Sequence, residues 1–456
     1  MTFGYRFPNS LKTAIITRYS DTLHRKAECM KIRNIIRCTL LLPLLACVKP
    51  GDKNKAAQTE KSAEQAGDKP SPNDPTKTNP GEPEGKEVLY PTADAELGET
   101  IGPDEIDAAK TIATVIEEQI KAKTSGSNQG ARALRDAHPK QHGCVRAKFE
   151  VDPSIDPQFA HGVFAKGNAF DAIIRYSNSS HIPTQADIKE DGRGMAMKLF
   201  NVPGKKLLET ESQSTTQDFI LISHPVFFTD NPKTYIDFIS NFENSSFAAK
   251  AKTLAALGLK GAKIASDITS LQVASPITTQ YFSNVPYQLG VGSARKAVKY
   301  TIKACGTDSK NVVSEPTKFI NGPTDIPKST TDANYLRTRL IEHFKASDAC
   351  MEMFVQSRES SIMSVENSMD EWTTPWHKVA TIRASKGEQA IAATPDFSIA
   401  SNQTCDNLSF NPWHSLPEHK PLGSMNRIRK VVYEHISKLR HQINDETFKE
   451  ATSNKL

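Results

Sequence analysis

Arg193-Gly194-Met195-Ala196-Met197-Lys198-Leu199-Phe200 reads as a β-strand and runs straight into a turn, Asn201-Val202-Pro203-Gly204. Working outward, residues 145–151, 172–176 and 218–223 are short alternating segments of the same kind. Further on, residues 298–305, 351–356 and 379–383 repeat the pattern. Short strands parted by turn-rich pieces predict a mostly antiparallel sheet or barrel. Helical patterns surround them. Residues 104–123 start after Pro103 and place Ile112, Val115, Ile116 and Ile120 on one face. Gly126 to Gly130 interrupts that helix, and residues 131–137 are expected to resume it. Residues 232–244, 246–271, 334–346 and 426–442 complete the helices, so the class is α+β.

The 456 residues carry a formal charge of +5. Residues 1–46 hold eight Lys/Arg and two Asp/Glu, and the rest of the chain holds 49 against 50. The basic excess therefore belongs to the leader and gives no support for a nucleic-acid partner. A mean hydropathy of −0.48 and a hydrophobic fraction of 38% describe a soluble chain with a sizeable core. Lys31, Arg33 and Arg37 precede a short apolar run, too short to span a bilayer. The run ends Leu44-Leu45-Ala46-Cys47, which resembles a bacterial lipobox. That resemblance implies cleavage before Cys47, lipidation of Cys47, and Met30 as the true start. The expected organisation is a leader at 1–46, a lipidated Cys47 and flexible linker at 47–98, a folded domain at 99–445 and a tail at 446–456. Residues 48–97 have Tyr90 as their only aromatic and cannot bury enough apolar surface to offset ordering entropy. The only expected membrane contact is the anchor, on the periplasmic side of a bacterial envelope. Cys144, Cys305, Cys350 and Cys405 remain for two disulfides, with three pairings open beside free thiols.

The last helical stretch adds chemistry. Arg429 stands four residues before Tyr433, on one helix face, where its cation can favour the phenolate. A tyrosinate is an axial ligand for ferric haem. Arg440, two turns on, suits a haem propionate. A second set of residues lies earlier: Arg135-Asp136-Ala137-His138, Phe149-Glu150-Val151, Ile174-Arg175-Tyr176-Ser177, residues 191–200, and Pro225-Val226-Phe227-Phe228.

In that order, these pieces resemble the catalase superfamily, and most closely its catalase-related bacterial haem proteins. The resemblance implies an antiparallel β-barrel with surrounding helices, and haem b buried between the barrel and the C-terminal helix. It implies that His138 is the distal base and that Ser177 fixes its tautomer. His142 stands as a rival, because one residue is inserted before Phe149. Arg135, Arg175 and Arg440 would bind propionates. Phe227 and Phe228 would roof the pocket, and Tyr235 stands where the family has phenylalanine. Arg429 and Tyr433 would be the proximal pair, with Tyr433 on the iron. The family's asparagine before Pro-x-Phe-Phe is absent. Ser223 is the nearest polar substitute in Ile222-Ser223-His224-Pro225.

The function implied is a haem peroxidase or catalase-related enzyme reducing hydrogen peroxide or organic hydroperoxides, with peroxidase chemistry and an external electron donor favoured. Hydroperoxide rearrangement is a minor enzymatic alternative. A haem-binding envelope lipoprotein without peroxide turnover is the alternative from another class. The donor and any homo-oligomer are left open.

Overall fold

The computed structural model describes residues 88–242, 246–306, 312–313, 326–327, 329–387 and 405–454. The expected leader and Cys47 lie outside the described residues. So does the linker up to residue 87.

Among the described residues, ten strands form one sheet: β1 (Gln141–Val151), β2 (Ala169–Asn178), β3 (Arg193–Leu199), β4 (Gln217–Ile222), β5 (Tyr281–Phe282), β6 (Tyr287–Leu289), β7 (Lys296–Ala304), β8 (Val312–Val313), β9 (Ala349–Ser357) and β10 (Trp376–Ala384). Every pairing is antiparallel. The order is β1-β2-β3-β4-β5-β7-β9-β10, and β10 returns to β1 with Phe149 opposite Ile382. The sheet therefore closes into an eight-stranded barrel. β6 adds to β7, and β8 adds to β10.

Strand alternation decides what faces where. Val145, Ala147 and Phe149 of β1, Ala172, Ile174 and Tyr176 of β2, and Met195, Met197 and Leu199 of β3 join the main core. Contacts across the closed sheet mark that face as the interior. The Tyr176 hydroxyl reaches Met351 Sδ on β9 at 3.3 Å, and Phe219 of β4 meets Tyr300 of β7 edge-on at 5.4 Å. The alternate residues, Cys144, Arg175, Ser177, Gly194 and Lys198, lie on the outer face. They are also buried, so other segments cover this side of the barrel.

Helices supply part of that cover: α1 (Glu105–Thr124), α2 (Pro232–Phe242), α3 (Phe247–Thr269), α4 (Tyr335–Ala346) and α5 (Ser424–Ile443). α1 packs on α5 and α2, α2 on α3, and α4 on β1. α1 buries Ile112, Ile116 and Ile120 and carries Glu105 and Asp107 in its first turn, as the helix dipole favours. α3 contains a break at Gly258, where φ is 63°. α5 starts after Gly423, at φ 82°, where a Cβ would collide with the Val365 carbonyl. Its Arg427 is fully buried and bonded to Glu99, Glu105 and Glu366. Among the described residues, no helix is long and apolar enough to cross a membrane.

Two differences from the expectations stand out. Residues 131–137 do not resume a helix. Instead the Ala133 backbone exchanges two hydrogen bonds with the Asn444 side chain, at 2.7 and 3.1 Å, which removes its groups from any helical ladder. Residues 88–98, read as the end of the linker, are packed: the Tyr90 hydroxyl donates to Glu105 at 2.7 Å, and Leu97 is buried. Of the alternatives left open for the four cysteines, the structure holds two disulfides, Cys144–Cys405 and Cys305–Cys350.

Candidate active site on the outer face of the barrel

His138 sits two residues before Lys140, in the turn that leads into β1. Its φ of 64° is left-handed, an uncommon conformation for a residue with a side chain. Three contacts hold it there. Its Nδ1 lies 3.1 Å from Ser177 Oγ on β2. Its carbonyl accepts from Arg175 Nη2 at 2.9 Å. Gly194 of β3 leaves room for the ring, because a Cβ there would stand 2.5 Å from His138 Nδ1 and 2.8 Å from Ser177 Oγ. Strand register explains the meeting, since Ser177 pairs with Gly194. Burial pushes the imidazole down to about 3, helped by the charges of Arg175, Arg429 and Arg135, with the Asn178 backbone opposing. His138 is therefore neutral at physiological pH.

The rival, His142, lies elsewhere. It sits at the bulge of β1, fully buried, with Nδ1 3.7 Å from Asp187. Burial pushes it down to about 3 as well, and neither ring nitrogen has a hydrogen bond. Asp187 is occupied by Lys140 at 2.7 Å and Asn178 at 2.9 Å. The Ser177 contact therefore distinguishes His138 from His142.

Arg135, Arg175 and Arg440, expected to bind propionates, converge. They meet on a short strap that the sequence did not single out, Cys405 to Leu408. Asp406 takes Arg175 at 3.2 Å and Arg135 at 3.5 Å. The Asp406 carbonyl accepts from Arg440 at 2.7 Å, and Arg135 and Arg440 both donate to the Leu408 carbonyl. The Cys144–Cys405 bond fastens this strap to β1. Two of these guanidiniums share the Asp406 carboxylate and Arg440 meets only backbone carbonyls; the nearby Glu446 is taken by Arg132, so among the described residues the three keep two uncompensated positive charges. Each guanidinium is lowered from its usual range, chiefly by burial; for Arg135 the next cause is its two neighbours, and Arg440 falls to about 10. Arg175 Nε is buried without a hydrogen bond. An arrangement that is positive, buried and short of acceptors suits a ligand with two anionic groups.

α5 brings Tyr433 and Arg429 to the same region. The Tyr433 ring is half-buried against the main core, and its hydroxyl makes no hydrogen bond to a described residue. Arg429 does not bond to Tyr433. Its guanidinium reaches Asn426 at 3.5 Å and lies over the Phe227 ring at 5.8 Å. Phe227, Phe228 and Tyr235 form one aromatic group, with Phe227 and Phe228 4.4 Å apart and Tyr235 5.8 Å from Phe227. The Tyr235 phenol is raised by burial, then by Asp136 and Tyr433, while Arg429 opposes. The Arg429 charge is thus felt by both His138 and Tyr235, so helix, aromatic group and distal turn form one neighbourhood. Ser223 is buried and accepts from the Arg193 amide at 2.8 Å, so its hydroxyl is tied to the backbone of β3.

These donors fit a haem. Tyr433 offers a phenol without a hydrogen bond to a described residue, and the arginines offer two surplus charges.

No protein-family model and no curated protein matches the chain. Solved structures that it resembles are catalases. A fungal catalase is 16% identical with a TM-score of 0.49, over 71% of this chain and 64% of that one. Catalase A from Saccharomyces cerevisiae is 16% identical with a TM-score of 0.47, over 71% and 66%. A bacterial catalase is 14% identical with a TM-score of 0.46, over 79% and 66%. The matches thus span just under two thirds of those catalases' own lengths.

Proposed function

We propose that this protein is a haem-dependent peroxide oxidoreductase that reduces hydrogen peroxide or organic hydroperoxides with electrons from an external donor. On this reading it is tethered to the periplasmic side of a bacterial envelope by a lipid on Cys47. The observation that carries the reading is the surplus of two positive charges at Arg135, Arg175 and Arg440 beside a neutral histidine. The two propionates of haem b match that surplus in number and sign, and guanidinium forks suit carboxylates. Tyr433 would be the iron ligand, with Arg429 one helical turn away. Bound haem would supply the redox-active iron at which the peroxide bond is reduced.

The chain's own residues handle the proton. Ser177 engages His138 Nδ1 and so leaves Nε2 for substrate. Nε2 takes a proton from one peroxide oxygen and returns it to the other as the bond breaks. Arg175 fixes the turn through the His138 carbonyl. Phe227 and Phe228 would keep water from the reacting oxygens. Ser223 is tied to the Arg193 amide and leaves His138 without an amide donor beside it, which supports peroxidase chemistry over rapid dismutation.

The test is the absorption spectrum of the full chain, loaded with haem, before and after one equivalent of hydrogen peroxide. A tyrosinate-type ferric spectrum that changes on addition supports the reading, and His138→Ala should keep the first spectrum and lose the change. A spectrum that peroxide leaves unchanged would favour a haem-binding protein without turnover. A folded chain with no haem band would overturn both.

A further inference from the structure

A second buried cluster lies on the same outer face, one step along the strands from the arginines. Lys198 of β3 pairs in register with Ile173, two residues before Arg175 on β2. The Phe410 ring lies between the two groups, with Arg135 at 6.0 Å and Lys198 at 5.3 Å from its centroid. Around Lys198 stand Asp218 of β4, Glu211 from the turn before β4, His414 after the strap and Glu450 from the final segment. Lys198 reaches Asp218 at 2.7 Å and also touches Glu450. Thr216 donates to Glu450 Oε1 at 2.6 Å.

What remains of these groups points to one place. The Asp218 Oδ2 to His414 Nδ1 distance is 2.9 Å, so Nδ1 carries the proton towards Asp218 and Nε2 is the outward atom. That Nε2 is fully buried and ion-paired with Glu211 Oε2, and without a metal the imidazole is held charged: burial opposes this, but Glu450 and Glu211 raise it to about 10. Glu211 Oε1 and Glu450 Oε2 lack hydrogen-bond partners, with the two side chains only 9% and 10% exposed. One donor atom each from Glu211, His414 and Glu450 lie within 4.8 Å of one another. Buried carboxylate oxygens without donors are costly unless a cation takes that role. Charge agrees with geometry. Three carboxylates against the Lys198 ammonium and the His414 imidazolium leave one negative charge, and a divalent cation that displaces the imidazolium proton makes the cluster neutral.

We propose that Glu211, His414 and Glu450 bind a divalent transition-metal ion, with Asp218 orienting His414. One imidazole and two carboxylates suit Zn²⁺, which takes N and O ligands at about 2.0–2.2 Å and leaves a fourth position for water. The Asp218–His414 pair is the carboxylate–histidine arrangement that fixes the tautomer of a metal-bound imidazole. The ion would join the turn before β4, the segment after the strap and the final segment of the chain. It requires nothing of the neighbouring arginine site.

The test uses the full chain, stripped with chelator and then titrated with Zn²⁺ and separately with Mn²⁺ at pH 7. Bound metal is counted by elemental analysis, with iron counted apart. The expected result is one equivalent of Zn²⁺ per chain, with a melting temperature that falls when chelator is added. Glu211→Gln keeps the shape and should weaken the ion by about tenfold or more, the scale on which even outer partners act. It should also abolish the chelator effect. His414→Ala is the harsher variant, and Glu211→Gln decides the matter if that one does not fold. A stripped wild-type chain that takes up no Zn²⁺ or Mn²⁺ would overturn the proposal, leaving His414 as an imidazolium among carboxylates. Uptake that Glu211→Gln leaves unchanged would overturn it too.

Discussion

At the scale of single residues, His138 is the most exacting position. An ordinary histidine charges as the pH falls through about 6.5, but burial and three arginines hold this one neutral down to about 3. The rate of the first reaction with peroxide should therefore stay level between about pH 8 and pH 5, where a solvated histidine would lose its base. Stopped-flow rates across that range check this, and a tenfold fall centred near the ordinary value would contradict it. Gly194 gives a second prediction. In Gly194→Ala the new Cβ presses on His138 Nδ1 and Ser177 Oγ. Overpacking of this kind costs about 1–3 kcal/mol, and the peroxide reaction should fall while the haem spectrum persists. Most of these residues were legible in advance, because Arg135, His138, Arg175 and Ser177 lie close together in the chain and meet across neighbouring strands. Asp406 was not. It carries no motif and reaches the arginines only through a fold that closes over hundreds of residues. The expected Arg429–Tyr433 contact assumed that helical spacing settles a pairing. Phe227 and Asn426, both within reach of the guanidinium, take it instead.

Among elements, α5 depends on one buried cation as much as on its apolar face. Arg427 meets Glu99, Glu105 and Glu366, which tie α5 to the start of α1 and to the segment before β10. Arg427→Met leaves Glu105 buried without its cation, while Glu99 keeps only Lys420 at 3.2 Å. Breaking one side of a buried pair costs about 3–5 kcal/mol, and urea unfolding should show a loss of that order. On the proposed function, loss of the α5 position would also loosen haem, so the retained spectrum is a second measurement. Strand and helix positions were largely readable, because alternation in β2 and β3 and the three-four spacing in α1 and α5 come from burial on one face. β5, β6 and β8 escaped notice because two or three residues cannot show a period. The supposed helix at 131–137 failed because Asn444, far along the chain, claims the Ala133 backbone.

For the whole molecule, acid sensitivity follows from three histidines held neutral inside the fold: His138, His142 and His419, each pushed down to about 3 by burial. The unfolded chain protonates them near 6.5, so their stabilising effect is complete above that pH and is lost progressively as pH falls towards about 3. Three such groups give a slope of up to about 4 kcal/mol per pH unit. Unfolding midpoints measured at pH 7, 6, 5 and 4 should steepen accordingly, and His419→Gln should flatten the curve. The Cys144–Cys405 bond joins positions 261 apart, and its loss through Cys405→Ser should cost about 2–5 kcal/mol, read as a lower urea midpoint. Barrel closure has a further consequence, in time rather than energy. β1 borders β10, and Tyr433 follows His138 by 295 positions. At a synthesis rate of about 5–20 residues per second, the first half of the site waits about 15–60 s for the second. During that interval β1 to β4 present an open edge to any neighbouring chain. A barrel whose first strand pairs with its last is open-edged while it is being made, so the nascent chain has to be shielded at least until β10 emerges.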